Sequence, residues 1–396
     1  MERQLASVQK VVDLQPIPGA DKIEVAHVLG WQCVVKKGEF KVGDLCVYFE
    51  IDSQLPKHLV FDFMADRKFR VRTIKLRKQI SQGLALPTNI LCEFMSGTQA
   101  EYCNRKSVHY RQDIFDKLFK EGTDVTELIG VTKYDPRPEN ADPVSKPTNP
   151  VINYLMDYFW FRKVYNAVMP GKTKGNFPAF INKTDETRLQ SYPLVLRKNL
   201  GRTIYTTEKL DGSSASYFFN KDLTGKKWGL FNKDKGNGFG VCSRNLRLVT
   251  PNQQYWWKYA KDHDFADLVP CLSKYLGFSI AIQGELIGPG IQKNKYQLTE
   301  LDFYCYNIFN IEAGVYLPDY QKELVCKQFH IKVVPHDDEK IVLAEEHDVD
   351  FFINLSKRKS ALNSKVTAEG IVCRCADDET ISFKVINPEW LLKNDE

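Results

Sequence analysis

The sequence predicts an α+β protein of two domains, an N-terminal all-β barrel followed by a mixed domain with largely antiparallel sheets. Three observations lead to this. Short β-branched and aromatic segments separated by turn residues fill the first 130 positions, a proline-rich polar stretch follows, and strands then alternate with helices. A chain of 396 residues with 43% hydrophobic content is too long for one ordinary core and long enough for two.

The first predicted domain, residues 1–130, contains three segments typical of strands: VQKVVDLQPIP, IEVAHVLGWQCVV and DLCVYFEI. Turn-forming residues separate them, in the stretches PGAD, KGE and VGD. Several short strands at such spacing indicate a small closed or nearly closed barrel.

A cationic stretch, Arg67–Lys78, follows these strands and reads RKFRVRTIKLRK. The sequence leaves two interpretations open. The stretch is either an edge strand that its charges protect from aggregation, or a strand that follows a phosphate backbone. In the second case Arg70, Arg72 and Lys75 are the predicted RNA contacts.

Residues 131–175 are predicted to connect the two domains. Residues 131–150 are rich in proline and polar side chains, a composition that builds no core and is typical of a linker. The next segment, NYLMDYFWFRKVYNAVM, has apolar residues at helical spacing, which predicts a connecting helix.

The second predicted domain covers residues 176–396. Near its start, Thr184 is positioned to cap a helix opened by Asp185 and Glu186. Further along, RTIYTTEKLDGSSASYFFN predicts a strand, a turn and a second strand. More strands are predicted in FSIAIQGEL, DFYCYNIFNI, EGIVCRCA and TISFKVI.

The overall composition limits the possible classes of protein but does not identify one. The net charge of +5 is compatible with a polyanionic partner but does not require one. Ten scattered cysteines without a CxxC pair favour reduced thiols over a zinc site. The N-terminus resembles no secretory signal, and no apolar run reaches transmembrane length, so we expect a soluble intracellular protein with no membrane association.

The chemically informative segment is Glu208-Lys209-Leu210-Asp211-Gly212, at the predicted turn between two strands. A free lysine with a pKa of ~10.4 is protonated at neutral pH and cannot attack. Burial, a metal ion or a second cation can lower that pKa and create a nucleophilic amine. Taken alone, however, so short a motif more often marks a solvated ion pair.

Three later segments supply what such a lysine needs. The stretch QGELIGPGIQKN places Glu285 at the end of a strand, EGIV places Glu369 at a strand start, and SFKVIN places Lys384 between apolar residues. Strands that look buried rarely carry isolated ions without partners. Each segment is weak by itself, but together and in this order they predict a lysine nucleophile with carboxylates and a cation around it.

The ordered series EKLDG, SRN, GELIGPGIQKN, FYCYNIF, EGIV, SFKVIN resembles the motifs of the covalent nucleotidyltransferases, and most closely ATP-dependent RNA ligases of the phage nick-sealing type. Together with FPAFINKTDETRLQ upstream, it resembles a two-domain subfamily in which an OB fold precedes the catalytic domain. The resemblance therefore implies an OB-like barrel followed by a nucleotidyltransferase (ATP-grasp-like ligase) domain. It also implies ATP as co-substrate, Mg²⁺ or Mn²⁺, and RNA with 5′-phosphate and 3′-hydroxyl ends, in the form of a nicked duplex bound by a monomer.

The resemblance assigns catalytic roles residue by residue. Lys209 is implied to become covalently adenylylated, and Lys384 to contact the α-phosphate. Metal binding, largely through water, is implied for Asp211, Glu285 and Glu369. One position departs from the phage pattern, because Ile386 stands where those enzymes carry a second lysine.

The resemblance also assigns the nucleotide contacts. Glu208 and Tyr306 match the residues that contact and stack on adenine, and Arg244 matches the arginine that contacts the ribose or the phosphate. Arg188, in the upstream segment, is expected at the pyrophosphate side of ATP.

Two other functions stay open at this point. An RNA capping guanylyltransferase shares the lysine and the acids, although Glu208, GPGIQKN and the short stretch PEWLLKNDE, which leaves no room for a C-terminal OB fold, argue against it. A non-catalytic nucleic-acid-binding protein is the other alternative, since the barrel also resembles tRNA-binding modules.

Overall fold

The computed structural model describes residues 3–95, 119–134, 174–227, 235–248 and 254–394. The predicted connecting helix and most of the predicted linker lie outside these residues. In the part of the chain that is described, no helix is both long enough and apolar enough to cross a membrane.

The N-terminal part folds as a curled antiparallel half-barrel, which confirms the predicted OB-like architecture. Its main sheet has the strand order β3-β2-β1-β4-β8. Its strands are β1 Ala6–Pro16, β2 Ile23–Val28, β3 Trp31–Lys36, β4 Leu45–Phe49, β5 Ser53–Gln54, β6 Ile74–Leu76, β7 Gln79–Ser81, β8 Leu84–Pro87 and β9 Thr132–Lys133.

The barrel is held by its central strand. β1 pairs with β2 along one edge and with β4 along the other, where Val8 lies opposite Val47. Alternating side chains of these strands, among them Val8, Val47 and Phe49, are fully buried in one core. The period-two pattern of the sequence therefore determines which face of the sheet is covered.

The cationic stretch is less regular than predicted. Only Ile74–Leu76 forms a strand, which turns back directly into Gln79–Ser81 as a two-stranded hairpin. Lys75 is exposed on this hairpin, whereas Arg70 is half-buried before it. A single continuous strand from Arg67 to Lys78 was therefore a wrong prediction, since Phe69, Arg77 and Lys78 have left-handed backbone conformations.

The second part is a mixed domain built on two largely antiparallel sheets, as predicted. A seven-stranded sheet has the order β10-β15-β14-β13-β16-β17-β18, and a five-stranded sheet has the order β11-β21-β20-β12-β19. The strands are β10 Lys174–Asn176, β11 Thr187–Arg188, β12 Thr203–Lys209, β13 Ser213–Lys227, β14 Lys235–Ser243, β15 Leu246–Leu248, β16 Ile280–Ile287, β17 Asp302–Asn310, β18 Val315–Tyr316, β19 Ile341–Val342, β20 Gly370–Cys375 and β21 Ser382–Ile386.

Helices cover the outer faces of these sheets. Among the described residues, the largest core lies between the seven-stranded sheet and the helices Tyr255–Asp262, Phe265–Leu276 and Asp319–Gln328. The helices are α1 Thr126–Ile129, α2 Leu194–Lys198, α3 Tyr255–Asp262, α4 Phe265–Leu276, α5 Asp319–Gln328, α6 Val349–Ser356 and α7 Pro388–Asn394. Short 3-10 helices span Leu59–Arg67, Thr88–Glu93, Leu189–Ser191 and Gln292–Asn294.

The helix predicted to begin at Thr184 does not form. Residues 182–186 are irregular, and Thr187–Arg188 is a short strand that pairs in parallel with β21, with Arg188 opposite Lys384. Pairing with β21, a strand nearly two hundred residues away, therefore overrides the local helix-capping signal.

Apolar and polar contacts join the barrel to the second domain. Ile386 and Leu391 are buried in the same core as Val11 and Trp31 of the barrel. Gly30 N–H also donates to the Gln190 carbonyl oxygen at 2.8 Å. The face of the barrel formed by β1 and β3 is thus completed by β21 and α7.

Candidate active site

A cavity of about 370 Å³ opens between the two sheets of the second domain. Most of the residues predicted for the catalytic site meet there, although they come from six separate segments. The predicted residues that line it are Glu208, Lys209, Asp211, Arg244, Glu285, Tyr306, Glu369 and Lys384.

Lys209 is the last residue of β12, and strand pairing places it beside the start of β20. It lies opposite Gly370, and its Nζ is 2.6 Å from Glu369 Oε1. A Cβ on Gly370 would lie 2.1 Å from the Val385 carbonyl oxygen, so only glycine lets β21 approach here. The Glu-Gly pair of the EGIV segment therefore places the carboxylate directly against the lysine.

Three carboxylates, Asp211, Glu285 and Glu369, surround the Lys209 ammonium. Burial raises the pKa of Glu285 to about 8 against the opposing pull of Lys209, and burial also raises the pKa of Glu369. Burial alone would lower the pKa of Lys209, but Glu369, followed by Glu285 and Asp211, raises it instead. Without further positive charge, the lysine is therefore held as an ammonium ion.

The same carboxylates fit a hard divalent cation. Their oxygens are the ligands that Mg²⁺ and Mn²⁺ prefer. Glu369 Oε2 is buried without a hydrogen-bond partner among the described residues, which leaves an acceptor for a cation or its water. Within the described ranges, no three acidic, histidine or cysteine side chains are arranged to hold a metal directly. The chemistry of the three carboxylates therefore fits a divalent cation or its bound water.

Asp211 is held by a contact that the sequence analysis did not anticipate. Lys295 Nζ pairs with Asp211 Oδ2, and the Asp211 N–H donates to the Tyr296 hydroxyl at 2.8 Å. Lys295 also lies 4.4 Å from the centre of the Trp390 ring, on α7. Lys295 directly follows GPGIQKN, so its position beside that motif was the available signal.

Asp185 bridges two of the predicted cations. Lys384 Nζ lies 2.8 Å from Asp185 Oδ1, and Arg244 Nη2 lies 2.7 Å from Asp185 Oδ2. Burial lowers the pKa of Lys384, although Asp185 opposes this. Burial alone would raise the pKa of Asp185, but Lys384 and then Arg244 bring it well below its ordinary value.

The buried position of residue 386 explains why this chain has isoleucine where the phage enzymes have a lysine. Its side chain is buried in the core that the second domain shares with the barrel. A lysine there would place an ammonium group among apolar side chains. Arg244, which shares Asp185 with Lys384, is the second cation that the structure places beside it.

Tyr306 is fixed by its hydroxyl, which lies 2.8 Å from Thr184 Oγ1 and 3.1 Å from Ser214 Oγ. Glu208 Oε2 accepts the Ala361 N–H at 2.8 Å, whereas its buried Oε1 has no partner among the described residues. Both predicted adenine contacts therefore line the cavity.

A buried ion pair behind Tyr306 was missed by the sequence analysis. Arg374 Nη2 donates to Glu186 Oε1 at 2.8 Å, and its guanidinium lies 5.8 Å from the Tyr306 ring centre. Arg374 is only 3% exposed, and its ion pair with Glu186 compensates the cost of burying the positive charge. Its position within EGIVCRCA, on a strand predicted to be buried, was the only signal.

The remaining predicted residues are not among those that line the cavity. Arg188 pairs with Asp52 of the barrel at 2.9 Å. Arg70 stacks on Tyr134 with 3.9 Å between its guanidinium carbon and the ring centre, while Lys75 is exposed on the β6–β7 hairpin and Arg72 is half-buried before it. Whether Arg70, Arg72 and Lys75 bind RNA stays a prediction.

The raised pKa of Glu285 gives a pH-dependent prediction for Glu285→Gln. Folding raises this pKa from 4.5 to about 8, so the stability contributed by the protonated form is complete below 4.5 and is lost as the pH rises through about 8. Glutamine has no such dependence. In chelator, we expect the variant's free energy of unfolding to exceed that of the wild type by a margin that widens over this range, to on the order of 2 kcal/mol.

Thermal unfolding of both proteins across a pH series measures this margin. A margin that stays constant between the two pKa values would contradict the buried, protonated state of Glu285.

Comparison with known proteins agrees with this geometry. A family model described as RNA ligase matches residues 202–386, and one described as an OB-fold domain matches residues 5–88. The structure is similar to that of a mutant Naegleria gruberi RNA ligase solved with ATP and Mn, with 30% identity, 99% of each chain covered and a TM-score of 0.74. A mutant with AMP and Mn gives the same values, and the ligase with PPi is 29% identical over 100% of this chain and 99% of that one, with a TM-score of 0.74.

These matches extend over both domains, and the RNA ligase match includes the lysine, acid and cation segments that meet in the cavity. They argue against the guanylyltransferase and the non-catalytic alternatives. The chain therefore belongs to the RNA ligase family.

Proposed function

We propose that this RNA ligase uses ATP and a divalent metal ion, Mg²⁺ or Mn²⁺, to seal nicks in duplex RNA as a monomer, with Lys209 carrying AMP. The observation that carries the proposal is the cavity in which a strand-end lysine lies 2.6 Å from a buried carboxylate, with further acids and cations on its walls. The ATP- and Mn-containing structures of the Naegleria enzyme support the choice of nucleotide and metal.

The order of strands in the five-stranded sheet supports an in-line reaction. Lys209 on β12, Lys384 on β21 and Arg188 on β11 follow in this order along the sheet β12-β20-β21-β11, with β20 between the first two. Neighbouring strands are about 4.8 Å apart, so Lys384 and Arg188 are on adjacent strands and Lys209 lies two strands from Lys384. Attack on phosphorus requires the nucleophile and leaving group on opposite sides of the phosphoryl group.

In this arrangement Lys209 attacks the α-phosphorus, a nitrogen–phosphorus bond forms, and the bond to pyrophosphate breaks. Lys384 neutralises charge on the α-phosphate, and Arg188 faces the departing pyrophosphate. The pyrophosphate-containing structure of the Naegleria enzyme is consistent with a site for that product.

Asp211, Glu285 and Glu369 are the residues that would hold the metal. A divalent cation among them supplies positive charge that offsets theirs, which lowers the pKa of the Lys209 ammonium and favours the attacking amine. Glu208 and Tyr306 orient the adenine, while Arg244 holds the ribose or the phosphate.

We assign residues 1–130 to the OB domain, 131–175 to the linker and connecting helix, and 176–396 to the adenylyltransferase domain. The barrel contributes Arg72, Lys75 and Arg70 to RNA binding, with Lys75 the most exposed of the three. Contacts of this kind make binding depend steeply on salt concentration.

A panel of substrates tests the choice of nicked duplex RNA. We expect nicks in duplex RNA to be sealed at least about tenfold faster than single-stranded ends, because a complementary strand holds the 3′-hydroxyl next to the activated 5′-phosphate. The panel contains the same strands with RNA or DNA on each side of the nick. Equal rates for nicked and single-stranded RNA would exclude nick sealing as the preferred reaction.

A further inference from the structure

We propose that Lys295 is the internal counter-ion of the acid cluster Asp211, Glu285 and Glu369, and that it limits how tightly this cluster holds a divalent cation. By pairing with Asp211 it cancels one of the three charges that attract the ion, so the ion binds weakly and exchanges readily. The inference rests on the proposed function, in which these three acids hold the metal.

The Lys295 ammonium is fixed on two sides. Its Nζ pairs with Asp211 Oδ2, and it lies 4.4 Å from the centre of the Trp390 ring. The side chains of Lys295 and Asp211 are only 21% and 10% exposed. Salt screens so shielded a pair poorly, and the ring adds a cation–π attraction. The ammonium group is therefore a stable partner of the carboxylate.

The loop that carries Lys295 also grips Asp211 at its backbone. The Asp211 N–H donates to the Tyr296 hydroxyl at 2.8 Å, and the Tyr296 carbonyl oxygen accepts a hydrogen bond from Asn363 Nδ2 at 3.1 Å. Asn294, just before Lys295, has a φ of 48°, a left-handed conformation that costs energy in a residue other than glycine. The ion pair thus belongs to a fixed turn and is not a chance contact of two mobile side chains.

The formal charges show what this pair does to the acid cluster. Lys209 Nζ lies 2.6 Å from Glu369, and Lys295 pairs with Asp211. With all three acids ionised, as a bound cation favours, two ammonium groups oppose three carboxylates and leave one net negative charge. Removal of Lys295 would leave two. Because the affinity of oxygen sites for divalent ions depends on the charge of their ligands, Lys295 weakens the binding.

Lys295 has two opposite effects on the affinity for a divalent ion. As a partner of Asp211 it orients a metal-binding carboxylate, and the loss of such partners commonly weakens metal binding. As a cation it repels the ion. The charge effect is the larger one here, because the Tyr296 hydroxyl still holds the Asp211 N–H at 2.8 Å when the ammonium group is removed.

The counter-ion matters most once Lys209 carries AMP. The Lys209 nitrogen is then bonded to phosphorus and has lost its positive charge, so one of the two ammonium groups at the acid cluster is gone. The phosphate of AMP adds negative charge at the same place. Lys295 then offsets one carboxylate whether or not a divalent ion stays bound.

Lys332 offers a matched control for the loss of a paired lysine. Its Nζ lies 2.7 Å from Asp302 Oδ2 and 5.7 Å from the centre of the Tyr304 ring, so it too has a carboxylate and an aromatic ring as partners. Unlike Asp211, Asp302 is not among the described residues that line the cavity. Lys295→Met and Lys332→Met each remove one charge and keep most of the side-chain length, while Lys295→Arg keeps the charge.

The test measures the binding of Mn²⁺ to the full-length chain, alone and with an ATP analogue that cannot be cleaved between the α- and β-phosphates. Electron paramagnetic resonance of free Mn²⁺ gives the Kd. We expect Lys295→Met to bind Mn²⁺ with about tenfold lower Kd than the wild type. Lys332→Met and Lys295→Arg should stay within about twofold. Mn²⁺ should also raise the Tm of Lys295→Met by more than that of the wild type, which shows at the same time that the variant is folded.

A comparison of Asp211→Asn with the double variant Asp211→Asn/Lys295→Met completes the design. If Lys295 acts through Asp211, its removal changes the Kd no further in that background. An unchanged Kd in Lys295→Met would overturn the inference. So would a higher one, which would mean that Lys295 orients Asp211 and does not oppose the ion.

The proposed function can fail separately from this inference. A wild-type protein that binds no Mn²⁺ in either condition and forms no AMP adduct would refute the proposed function, and the inference with it. A wild-type protein that forms a metal-dependent adduct, while Lys295→Met binds Mn²⁺ no more tightly, would refute the inference alone.

Discussion

Lys209→Ala is expected to reduce the covalent AMP adduct to background. We propose that this side chain supplies the attacking nitrogen, so the nitrogen–phosphorus bond does not form without it. Incubation with α-labelled ATP and Mg²⁺ or Mn²⁺, followed by denaturing electrophoresis, measures the adduct. Labelled GTP should give none with either protein, because Glu208 and Tyr306 are proposed to read adenine.

Lys209→Arg provides the control for folding and charge. It keeps a cation beside Glu369, whose Oε1 lies 2.6 Å from the lysine nitrogen, but a guanidinium remains protonated and is no nucleophile. Both variants should still seal a nick that carries a preformed adenylylated 5′-phosphate. An undiminished adduct on Lys209→Ala would show that another residue is the nucleophile.

Glu369→Ala is expected to lower the rate of adenylylation about 10²- to 10³-fold while the protein keeps its fold. Its carboxylate contacts Lys209 and leaves a buried oxygen for the cation or its water. The rate of adduct formation and the Tm are measured together. A chelator should give a loss of similar size in the wild type, and adduct formation that withstands chelation would contradict a metal-dependent reaction.

Glu379→Gln is a suitable control for this variant. Glu379 lies on the loop between β20 and β21 and is a second acid whose pKa is raised by burial. It accepts a hydrogen bond from the Tyr205 hydroxyl at 2.6 Å. It does not line the cavity in the part of the chain that the structure describes. Adenylylation should therefore be nearly unchanged, which separates the loss of a catalytic acid from the loss of any buried acid.

The residues proposed as catalytic could be predicted because they lie at the ends of strands whose patterns are strong. Lys209, Glu285 and Glu369 each adjoin a run of buried apolar residues. The pairing of β12 with β20 brings Lys209 to Glu369, and the pairing of β16 with β13, the strand that follows β12, brings Glu285 to the same place. The order of the motifs supplied the resemblance to RNA ligases, and that resemblance implies a role for each residue. The prediction succeeds here because the local pattern of each segment and its long-range pairing both favour a strand.

The contacts that could not be predicted are those that join distant segments. The residues after Thr184 carry a local helix signal, but a parallel pairing with β21 makes Thr187 and Arg188 a strand. Nothing near Asp185 in the sequence indicates that it bridges Lys384 and Arg244. The bonds of Arg188 to Asp52 and of Arg374 to Glu186 likewise depend on which surfaces meet in three dimensions.

The shared core of Val11, Trp31, Ile386 and Leu391 has a consequence for folding. During synthesis, Val11 and Trp31 leave the ribosome long before Ile386 and Leu391, so one face of the barrel stays uncovered until the distant segment arrives. Contacts so far apart in sequence slow folding, because the chain must close a long loop before they form. They also make the two domains unfold as one cooperative unit, and a barrel expressed alone would display an apolar surface prone to self-association.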